Sequence, residues 1–298
     1  MPSLRSRIIQ LIIRDAKNAL ISTEPLEIRR RRFEAAARRA IRVPRNVSVR
    51  AVSAGGVPSD WLEPDDLEPG RVILYLHGGA YVICSPTTHR GLTGRVACNA
   101  RAHVLAIDYR LAPEHPFPAA LEDALSAYHW ILEQGYAPQH IAIGGDSAGG
   151  GLTIATALSL RDNHETLPAA LFLISPWTDL TFSGDSIRTR AHRDPILNDD
   201  GDGWLINAYA GATPLTHPYI SPVFADPRGL PPTLIQVGSE EILYDDSSRL
   251  EAKMNAAGVA NRFETWDGMW HVFQAFAPYV PEAQQAINRI CAFLDQYI

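Results

Sequence analysis

One serine of this chain lies in the sequence context that a catalytic nucleophile requires. Ser147 is the central residue of a Gly-x-Ser-x-Gly pattern that starts at Gly145, follows an apolar segment and precedes a helical one. A tight strand-to-helix turn holds a serine hydroxyl clear of the backbone, and the flanking glycines give it steric room. A phosphate-binding loop would show Gly-x-Gly-x-x-Gly spacing or a Lys-Ser/Thr ending, and neither occurs here. The pattern therefore predicts that Ser147 is a nucleophile.

A second glycine pair could stabilise the negative charge that develops when such a serine attacks a carbonyl. His77-Gly78-Gly79-Ala80 follows an apolar segment that ends at Leu76. Glycines at the end of a strand can direct backbone N–H groups into a cleft, as an oxyanion hole requires. We predict that the N–H groups of Gly78, Gly79 and Ala148 converge on one oxygen atom. The alternative is that the two glycines only form a turn.

A serine nucleophile needs a histidine base and a carboxylate that holds the base in the correct tautomer. With a nucleophile on this kind of turn, the chain order is serine, acid, histidine. His271 is the predicted base, because it lies in the loop after the last predicted strand. The loop after the preceding strand offers several carboxylates, among which chain order does not choose: Glu240, Glu241, Asp245 and Asp246.

Alternating strand-like and helical segments must position these residues. Helices are predicted at 118–133, directly after Ser147 and from about Glu282 onward. Most of the predicted strands are continuous apolar runs, as buried parallel strands require, and they comprise residues 47–52, 71–77, 103–108, 140–145, 169–174, 233–237 and 262–266. The alternation predicts an α/β fold with a mostly parallel central sheet that helices cover on both faces.

Composition and charge exclude several classes of protein. The chain has 298 residues, of which 46% are hydrophobic and 20% charged, and this excludes a disordered protein. The net charge of −6 argues against a nucleic-acid-binding protein. Residues 8–13 form an apolar run that is too short for a membrane span and wrongly flanked for a signal peptide. The three cysteines form no disulfide framework and no metal-ligand pair, so we expect a reducing, cytoplasmic compartment.

Positive charge is concentrated at the start of the chain. Residues 1–50 carry 13 basic and four acidic side chains, a net charge of +9, which leaves −15 for the rest. Apolar residues recur there at helical spacing, which predicts two amphipathic helices whose arginines face water or the acidic body of the protein: Ile8, Leu11, Ile12 and Ile28. The alternative is an arm that binds nucleic acid or an anionic membrane.

Residues 183–222 interrupt the alternation of strands and helices. Clusters of Gly, Asp and Pro, at 194–195 and 198–203, surround one short predicted helix at 204–209. We predict an insertion without strands. Long excursions from a compact α/β core are often lids or binding elements, and the N-terminal helices could share that role.

At these residues the chain resembles the bacterial hormone-sensitive-lipase family of esterases, within the α/β-hydrolase superfamily. The resemblance extends from about residue 45 to the end. His77-Gly78-Gly79-Ala80 resembles the family's oxyanion motif, with Ala80 at its third glycine, and Tyr109-Arg110-Leu111-Ala112-Pro113-Glu114 resembles its structural segment after the next strand. Gly145-Asp146-Ser147-Ala148-Gly149-Gly150 resembles its nucleophile motif. Gly268, His271 and Phe273 match its Gly-x-x-His-x-Phe ending.

The resemblance also selects one of the candidate acids. The family's acid motif reads Asp-x-Leu-x-Asp, and aligning its leucine with Leu243 places the catalytic acid on Glu241. Glutamate replaces the commoner aspartate here, and its extra methylene requires a slightly retracted backbone. Asp245 and Asp246 are the alternatives. The implied triad is Ser147, Glu241 and His271, with Gly78, Gly79 and Ala148 as oxyanion donors and with no metal or organic cofactor.

The family likeness further implies how substrate is enclosed. Residues 1–45 are expected to form N-terminal cap helices and residues 183–222 a cap insertion, around a catalytic core of residues 46–182 and 223–298. The implied substrates are short- to medium-chain acyl esters or lactones, since the chain is similar to the monoterpene ε-lactone hydrolases of the family. We expect the pocket walls at Tyr81, Trp204, Met269 and Trp270.

Two further residues next to these motifs are assigned to structural support: we expect Asp146 and His77 to hold loops in place. The resemblance also suggests a homodimer through the last strand and the terminal helix.

Two other functions are consistent with the same residues. An amidase or peptidase could use the same triad, because only the leaving group differs. A catalytically silent small-molecule receptor could share the fold, because fold does not determine function. For the esterase, the expected partners are a small-molecule ester and water, with no nucleic acid and no integral membrane association.

Overall fold

The described residues of the chain fold around one sheet. This computed structural model describes residues 2–20, 24–40, 42–197 and 203–298. Over these residues the strands are β1 Val47–Ala54, β2 Val57–Pro64, β3 Val72–Leu76, β4 His103–Ile107, β5 Ile141–Asp146, β6 Ala170–Ile174, β7 Thr233–Gly238 and β8 Asn261–Trp266. The helices are α1 Leu4–Leu20, α2 Leu26–Ala40, α3 Pro86–Ala100, α4 Ala119–Glu133, α5 Ala148–Asp162, α6 Ser186–Thr189, α7 Gly203–Ala210, α8 Tyr244–Ala256 and α9 Pro281–Leu294.

The sheet order is β1-β2-β4-β3-β5-β6-β7-β8. Strand β2 is antiparallel to both of its neighbours, and every other pair from β4 to β8 is parallel. All residues of β3, β5, β6 and β7 are buried, which is why apolar residues predominate in these strands. The predicted α/β architecture, with a mostly parallel sheet that helices cover, is confirmed.

Helices cover both faces of this sheet. One hydrophobic cluster packs α4, α5 and α8 against alternate strand residues such as Leu74 and Ile143. The other cluster packs α3 and α9 against the opposite face, including Ile73 and Phe172. Since successive side chains of a strand point to opposite faces, each central strand contributes to both clusters. The carboxyl ends of the parallel strands therefore meet at one edge, where their following loops lie together.

The prediction from the sequence missed strand β2. Its residues Pro58, Asp60 and Glu63 interrupt the apolar pattern that marks the other strands. The signal that could have identified it is the Gly55-Gly56 pair between β1 and β2, because both residues have positive φ, +59° and +91°, as a two-residue hairpin turn requires. Asp60 is buried, and the guanidinium of Arg90 on α3 donates two hydrogen bonds to its carboxylate at 2.6 and 2.9 Å.

The segment between β6 and β7 contains α6 and α7 and no strand over its described residues, as predicted. Helix α7 matches the helix expected at 204–209. Residues 198–202, which belong to the predicted Gly/Asp cluster, lie outside the described part of the chain.

The two N-terminal helices are fixed to loops at the carboxyl edge of the sheet. Arg30 of α2 donates to the carbonyl oxygens of Val82 and Ala112, each at 2.6 Å, and pairs with Glu114 at 2.8 Å. Arg14 of α1 donates to the carbonyl oxygen of Arg193 in the insertion at 3.0 Å. None of the helices in the described ranges is long and apolar enough to cross a membrane.

Candidate active site

Ser147 lies at the turn between β5 and α5 in a backbone conformation that few residues adopt. Its φ is +53° and its ψ is −122°. Its N–H donates to Ile174 O at 2.9 Å, and its carbonyl oxygen accepts from the N–H groups of Gly150 and Trp177, each at 2.9 Å. These bonds hold a strained conformation in place, as the surrounding structure must at such a residue. The predicted nucleophile therefore stands on a fixed turn.

The glycines of this turn are needed for close packing. A Cβ on Gly145 would collide with Leu76 O and Gly149 O, and one on Gly149 would collide with Leu76 O. The turn consequently lies directly against the end of β3. Any side chain at either position would push the nucleophile loop away from the neighbouring strand.

The predicted oxyanion loop, which follows β3, lies against Ser147. A Cβ added to Gly78 would lie 3.1 Å from the Cβ of Ser147 and 3.0 Å from Asp146 O. Gly79 has a φ of +118°, and its carbonyl oxygen accepts from the N–H groups of Val82 and Ile83 at 3.0 Å. These contacts turn the chain back beside the nucleophile, and only residues without a side chain fit there.

The three backbone N–H groups proposed for the oxyanion hole are available for a ligand. Those of Gly78, Gly79 and Ala148 donate no hydrogen bond to another residue in the described ranges. The N–H of Ala148 is also one of the first four of α5, which have no partner within a helix. At position 80, where the family motif has its third glycine, Ala80 adopts a φ of +53°.

Glu241 and His271 form a buried pair at the same edge of the sheet. Nδ1 of His271, in the loop after β8, donates to Oε2 of Glu241, in the loop after β7, at 2.9 Å. Glu241 is fully buried and His271 is 5% exposed. Gly238 N–H donates to the other carboxylate oxygen, Oε1, at 2.6 Å. A carboxylate that accepts from Nδ1 fixes the histidine tautomer that leaves Nε2 as an acceptor.

The other carboxylates near Glu241 are engaged elsewhere. Glu240 accepts from Arg193 Nε at 2.8 Å, Asp245 from Ser186 N–H at 2.8 Å, and Asp246 from the N–H groups of Thr178 at 2.7 Å and Asp179 at 2.8 Å. Of the four acids that chain order left open, Glu241 is therefore the one hydrogen-bonded to His271. Its position agrees with the alignment of the acid motif.

Ser175 joins the acid loop to the histidine loop, and the sequence analysis did not identify it. Its hydroxyl donates to Glu241 Oε1 at 2.7 Å and accepts from Val272 N–H at 3.1 Å. Ser175 follows β6, is fully buried and has a φ of +47°. Its position directly after a buried strand at the carboxyl edge of the sheet was the available signal. One hydroxyl thus fixes both the carboxylate and the residue that follows His271.

The pKa of His271 reflects two opposing influences. Burial, the largest, lowers it because the charged imidazolium loses contact with water. The hydrogen bond and negative charge of Glu241 raise it, and the charges of Asp194 and Asp146 add to this effect. The raising influences prevail, so the pKa of His271 lies above its usual value of 6.5.

A second buried network lies behind the nucleophile and the oxyanion loop. Tyr75 OH donates to Asp146 Oδ1 at 2.7 Å, and His89 Nε2 donates to Oδ2 at 3.3 Å. Burial, the largest influence on the pKa of Asp146, raises it, but His89 and Tyr75 outweigh burial and keep this pKa below its usual value. Burial lowers the pKa of His77 to about 3, and the ring of this neutral histidine stacks on Tyr109 with centroids 4.2 Å apart. Asp146 thus contacts β3 and α3, and His77 contacts Gly78 and Tyr109. The supporting role expected for both residues stays a prediction.

The four residues expected at the pocket walls lie in different environments. Tyr81 is buried and stacks on Tyr209 of α7, with ring centroids 3.6 Å apart. Trp204 of α7 is 49% exposed. Met269 and Trp270 are fully buried in the hydrophobic cluster on the α3/α9 face of the sheet. The role of these residues in substrate binding stays a prediction.

No group of three or more His, Cys, Asp or Glu side chains suited to a metal ion occurs over the described residues.

Comparisons with known proteins give a consistent likeness. A family model for the α/β-hydrolase fold matches residues 73–275. An acetyl-hydrolase of Streptomyces hygroscopicus is 45% identical over 243 residues, which are 82% of this chain and 81% of that protein. An esterase of Acinetobacter venetianus is 38% identical over 83% of this chain and 82% of its own length.

Solved structures extend this likeness to the whole chain. An esterase from the bacterial hormone-sensitive lipase family matches with a TM-score of 0.95 and 41% identity, over 100% of this chain and 99% of that one. An esterase/lipase from an uncultured bacterium matches with a TM-score of 0.94 and 42% identity, over 99% and 98%.

The opposing influences on His271 can be separated by one substitution. In Glu241→Gln the carboxylate charge is lost while burial remains, so the pKa of His271 should fall below that of the unmodified chain. Titration of the imidazole resonances by NMR measures this shift, and His164 on the surface is an internal control. The pKa of His271 in the folded state exceeds its unfolded value of about 6.5, so the interaction of His271 with Glu241 stabilises the fold. This contribution to the free energy of unfolding is fully present below the unfolded pKa and is lost as pH rises through the folded pKa. An unchanged or higher pKa in Glu241→Gln would contradict the account.

Proposed function

Because the chain belongs to the α/β-hydrolase family and is a carboxylesterase of its hormone-sensitive-lipase branch, we propose that Ser147, His271 and Glu241 form the triad that hydrolyses its ester substrates. The observation that carries this proposal is the buried hydrogen bond between Glu241 and His271 at the edge of the sheet on which Ser147 stands. A buried carboxylate-histidine pair beside a strained serine turn is the arrangement that activates a weak hydroxyl nucleophile.

The first half of the reaction forms an acyl-enzyme. His271 Nε2 accepts the proton of the Ser147 hydroxyl as its Oγ bonds to the carbonyl carbon of the ester. The carbonyl π pair moves to oxygen and gives a tetrahedral oxyanion. When this intermediate collapses, the bond to the alcohol oxygen breaks, and the imidazolium returns its proton to the departing alcohol.

Water completes the reaction in the second half. His271 accepts a proton from water as the water oxygen bonds to the acyl carbon, and a second oxyanion forms. Collapse of this intermediate breaks the bond to Ser147 Oγ, which regains a proton from the imidazolium. The carboxylic acid then leaves, and the free enzyme is restored.

Glu241 acts on both halves through His271 without taking up a proton. Its carboxylate keeps hydrogen on Nδ1, and it stabilises the imidazolium that forms in each step. Its other oxygen, Oε1, accepts hydrogen bonds from Gly238 N–H and the Ser175 hydroxyl, and these bonds hold the carboxylate in position beside His271.

The N–H groups of Gly78, Gly79 and Ala148 bind the oxyanion. Their lack of acceptors among the described residues supports this role, and so does the close approach of Gly78 to Ser147. Donors that are already oriented stabilise developing charge without reorganisation, and removing one typically costs about 100- to 1,000-fold in kcat.

Short- to medium-chain acyl esters or lactones are the proposed substrates, with residues 1–45 and 183–222 as the cap above the site. The acetyl-hydrolase relative supports a short acyl group. The cap assignment is supported by Arg30, which ties α2 to the segment after the oxyanion loop, and by Arg14, which ties α1 to the insertion.

Replacement of the nucleophile provides the direct test of this function. The unmodified enzyme should hydrolyse p-nitrophenyl esters fastest between acetate and octanoate and slowly at laurate, and Ser147→Ala should lose roughly 1,000-fold or more in kcat. Release of p-nitrophenolate measures both. Circular dichroism must show that the variant is folded.

The same assay addresses the competing function. Faster turnover of p-nitroanilides than of the matched esters would replace the esterase proposal with an amidase. Undiminished ester hydrolysis by folded Ser147→Ala would reject the triad. Ser159→Ala, at a buried serine of α5, the helix that begins directly after Ser147, is the control for loss of a hydroxyl.

Ser175 is proposed as a positioning residue for the triad. Ser175→Ala removes a donor from Glu241 and leaves Val272 N–H without its acceptor, so kcat should fall about tenfold while KM changes little. A less stabilised carboxylate holds the imidazolium more strongly, and the acidic limb of the kcat profile should therefore move to higher pH.

Ser247→Ala is the matched control for Ser175→Ala. Ser247 is also fully buried, but its hydroxyl has no hydrogen-bond partner in the described part of the chain. This variant should keep the kcat and pH profile of the unmodified enzyme. Equal kinetics in the two variants would show that the Ser175 hydroxyl does not position the triad.

A further inference from the structure

Helix α1 exposes an apolar stripe between Leu4 and Ile12. Leu4 is 74% exposed, Leu11 62%, Ile12 58% and Ile8 49%. At about 100° of rotation per residue, these four side chains fall within an arc of about 100° on one side of the helix. Single exposed apolar residues are ordinary, but four neighbouring ones on one helix face indicate an interaction surface.

The opposite side of α1 already makes the contacts that hold the helix to the protein. Ile9 and Ile13 pack against the hydrophobic cluster on the α3/α9 face of the sheet. Ser3 Oγ donates to Glu282 Oε2 at 3.0 Å, at the start of α9. The stripe therefore contributes little to folding, and its four side chains face away from the packed side of the helix.

Arginines border the stripe on both sides. On the helical wheel Arg5 lies next to Ile12 at one margin, and Arg7 and Arg14 lie together beyond Leu11 at the other. All three side chains are exposed. On α2, exposed Ile28 is accompanied by further exposed arginines, which are Arg31, Arg32, Arg38 and Arg39.

We propose that α1 lies in the surface of an anionic phospholipid bilayer, with its apolar stripe among the acyl chains and its arginines at the lipid phosphates. An apolar face bordered by cations is the pattern of helices that bind in the plane of a membrane. The charge distribution favours an anionic bilayer as the partner of the stripe. Residues 1–50 carry a net charge of +9 and the remainder −15, so an anionic surface attracts this end of the chain and repels the rest of the molecule.

This surface would bring the proposed active site close to lipid. Pro2 packs against Gly268 in the histidine loop, where a Cβ on Gly268 would collide with its ring, and Arg14 is bonded to Arg193 O. Helix α1 is thus fixed to both loops that border the Glu241–His271 pair. Binding to the bilayer is independent of the ester chemistry and would persist if the triad assignment failed.

Vesicle sedimentation tests the proposal without any turnover. The full chain should sediment with phosphatidylglycerol vesicles at low salt and should not sediment with phosphatidylcholine vesicles. Its binding to phosphatidylglycerol vesicles should be weaker in 1 M salt, at which the Debye length is about 3 Å. The triple variant Ile8→Ser/Leu11→Ser/Ile12→Ser should bind at least tenfold more weakly. Arg5→Gln/Arg7→Gln should lose about fivefold per arginine.

Matched controls separate the stripe from general surface effects. Phe224→Ser/Tyr279→Ser removes exposed aromatic groups elsewhere, and Arg188→Gln/Arg228→Gln makes the same change in net charge at two exposed, ion-paired arginines. Both controls should bind vesicles as the unmodified chain does. Thermal unfolding must show that every variant is folded.

Three results would overturn the proposal. They are absence of binding to anionic vesicles, equal binding to neutral vesicles, and unchanged binding by the folded triple variant. A fourth result would replace it. If the unmodified chain binds no vesicles but forms a dimer in solution, and the triple variant is monomeric, the stripe is covered by a second copy of the chain.

Discussion

Burial of the Glu241 carboxylate is the constraint on which the arrangement of the candidate site depends. An ionised carboxylate that is removed from water without partners destabilises a protein strongly. Glu241 is satisfied by three donors, and each comes from the end of a different strand or its following loop: Ser175 after β6, Gly238 at the end of β7 and His271 after β8. The carboxylate keeps its hydrogen bonds while buried only if these three segments stay together, so its requirement for donors orients His271.

The end of β6 connects this acid side of the site to the nucleophile side. Ile174 O accepts from Ser147 N–H, and the next residue, Ser175, donates to Glu241. On the far side of β5, the glycines of the serine turn allow it to lie against Leu76 O, where β3 ends and the oxyanion loop starts. Five adjacent parallel strands, from β3 to β8 in the sheet order, thus place the proposed nucleophile, oxyanion donors, base and acid along one edge. A change of packing at β6 would move both halves.

Much of the fold and of the site was predictable, for identifiable physical reasons. Buried parallel strands must be continuously apolar, and close backbone approach requires glycine, so β3, β5 and the serine turn are evident in the sequence. Strand β2 was missed because its polar and proline residues obscure the pattern. The choice of Glu241 needed the family's motif, since four carboxylates follow β7. Ser175 was not identified because a lone serine has no spacing signal, and the burial of Met269 and Trp270 depends on contacts with distant helices that a sequence does not show.

The most direct test of the account is kcat for p-nitrophenyl butyrate in Glu241→Gln, with Asp245→Asn as the matched control. Glutamine preserves the size of the side chain, but its amide removes the charge that stabilises the imidazolium and allows the wrong tautomer of His271. The account predicts a loss of roughly 1,000- to 10,000-fold in kcat for Glu241→Gln and less than about tenfold for Asp245→Asn. A folded Glu241→Gln enzyme that retains more than about a tenth of the kcat would contradict it and assign the acid to another residue.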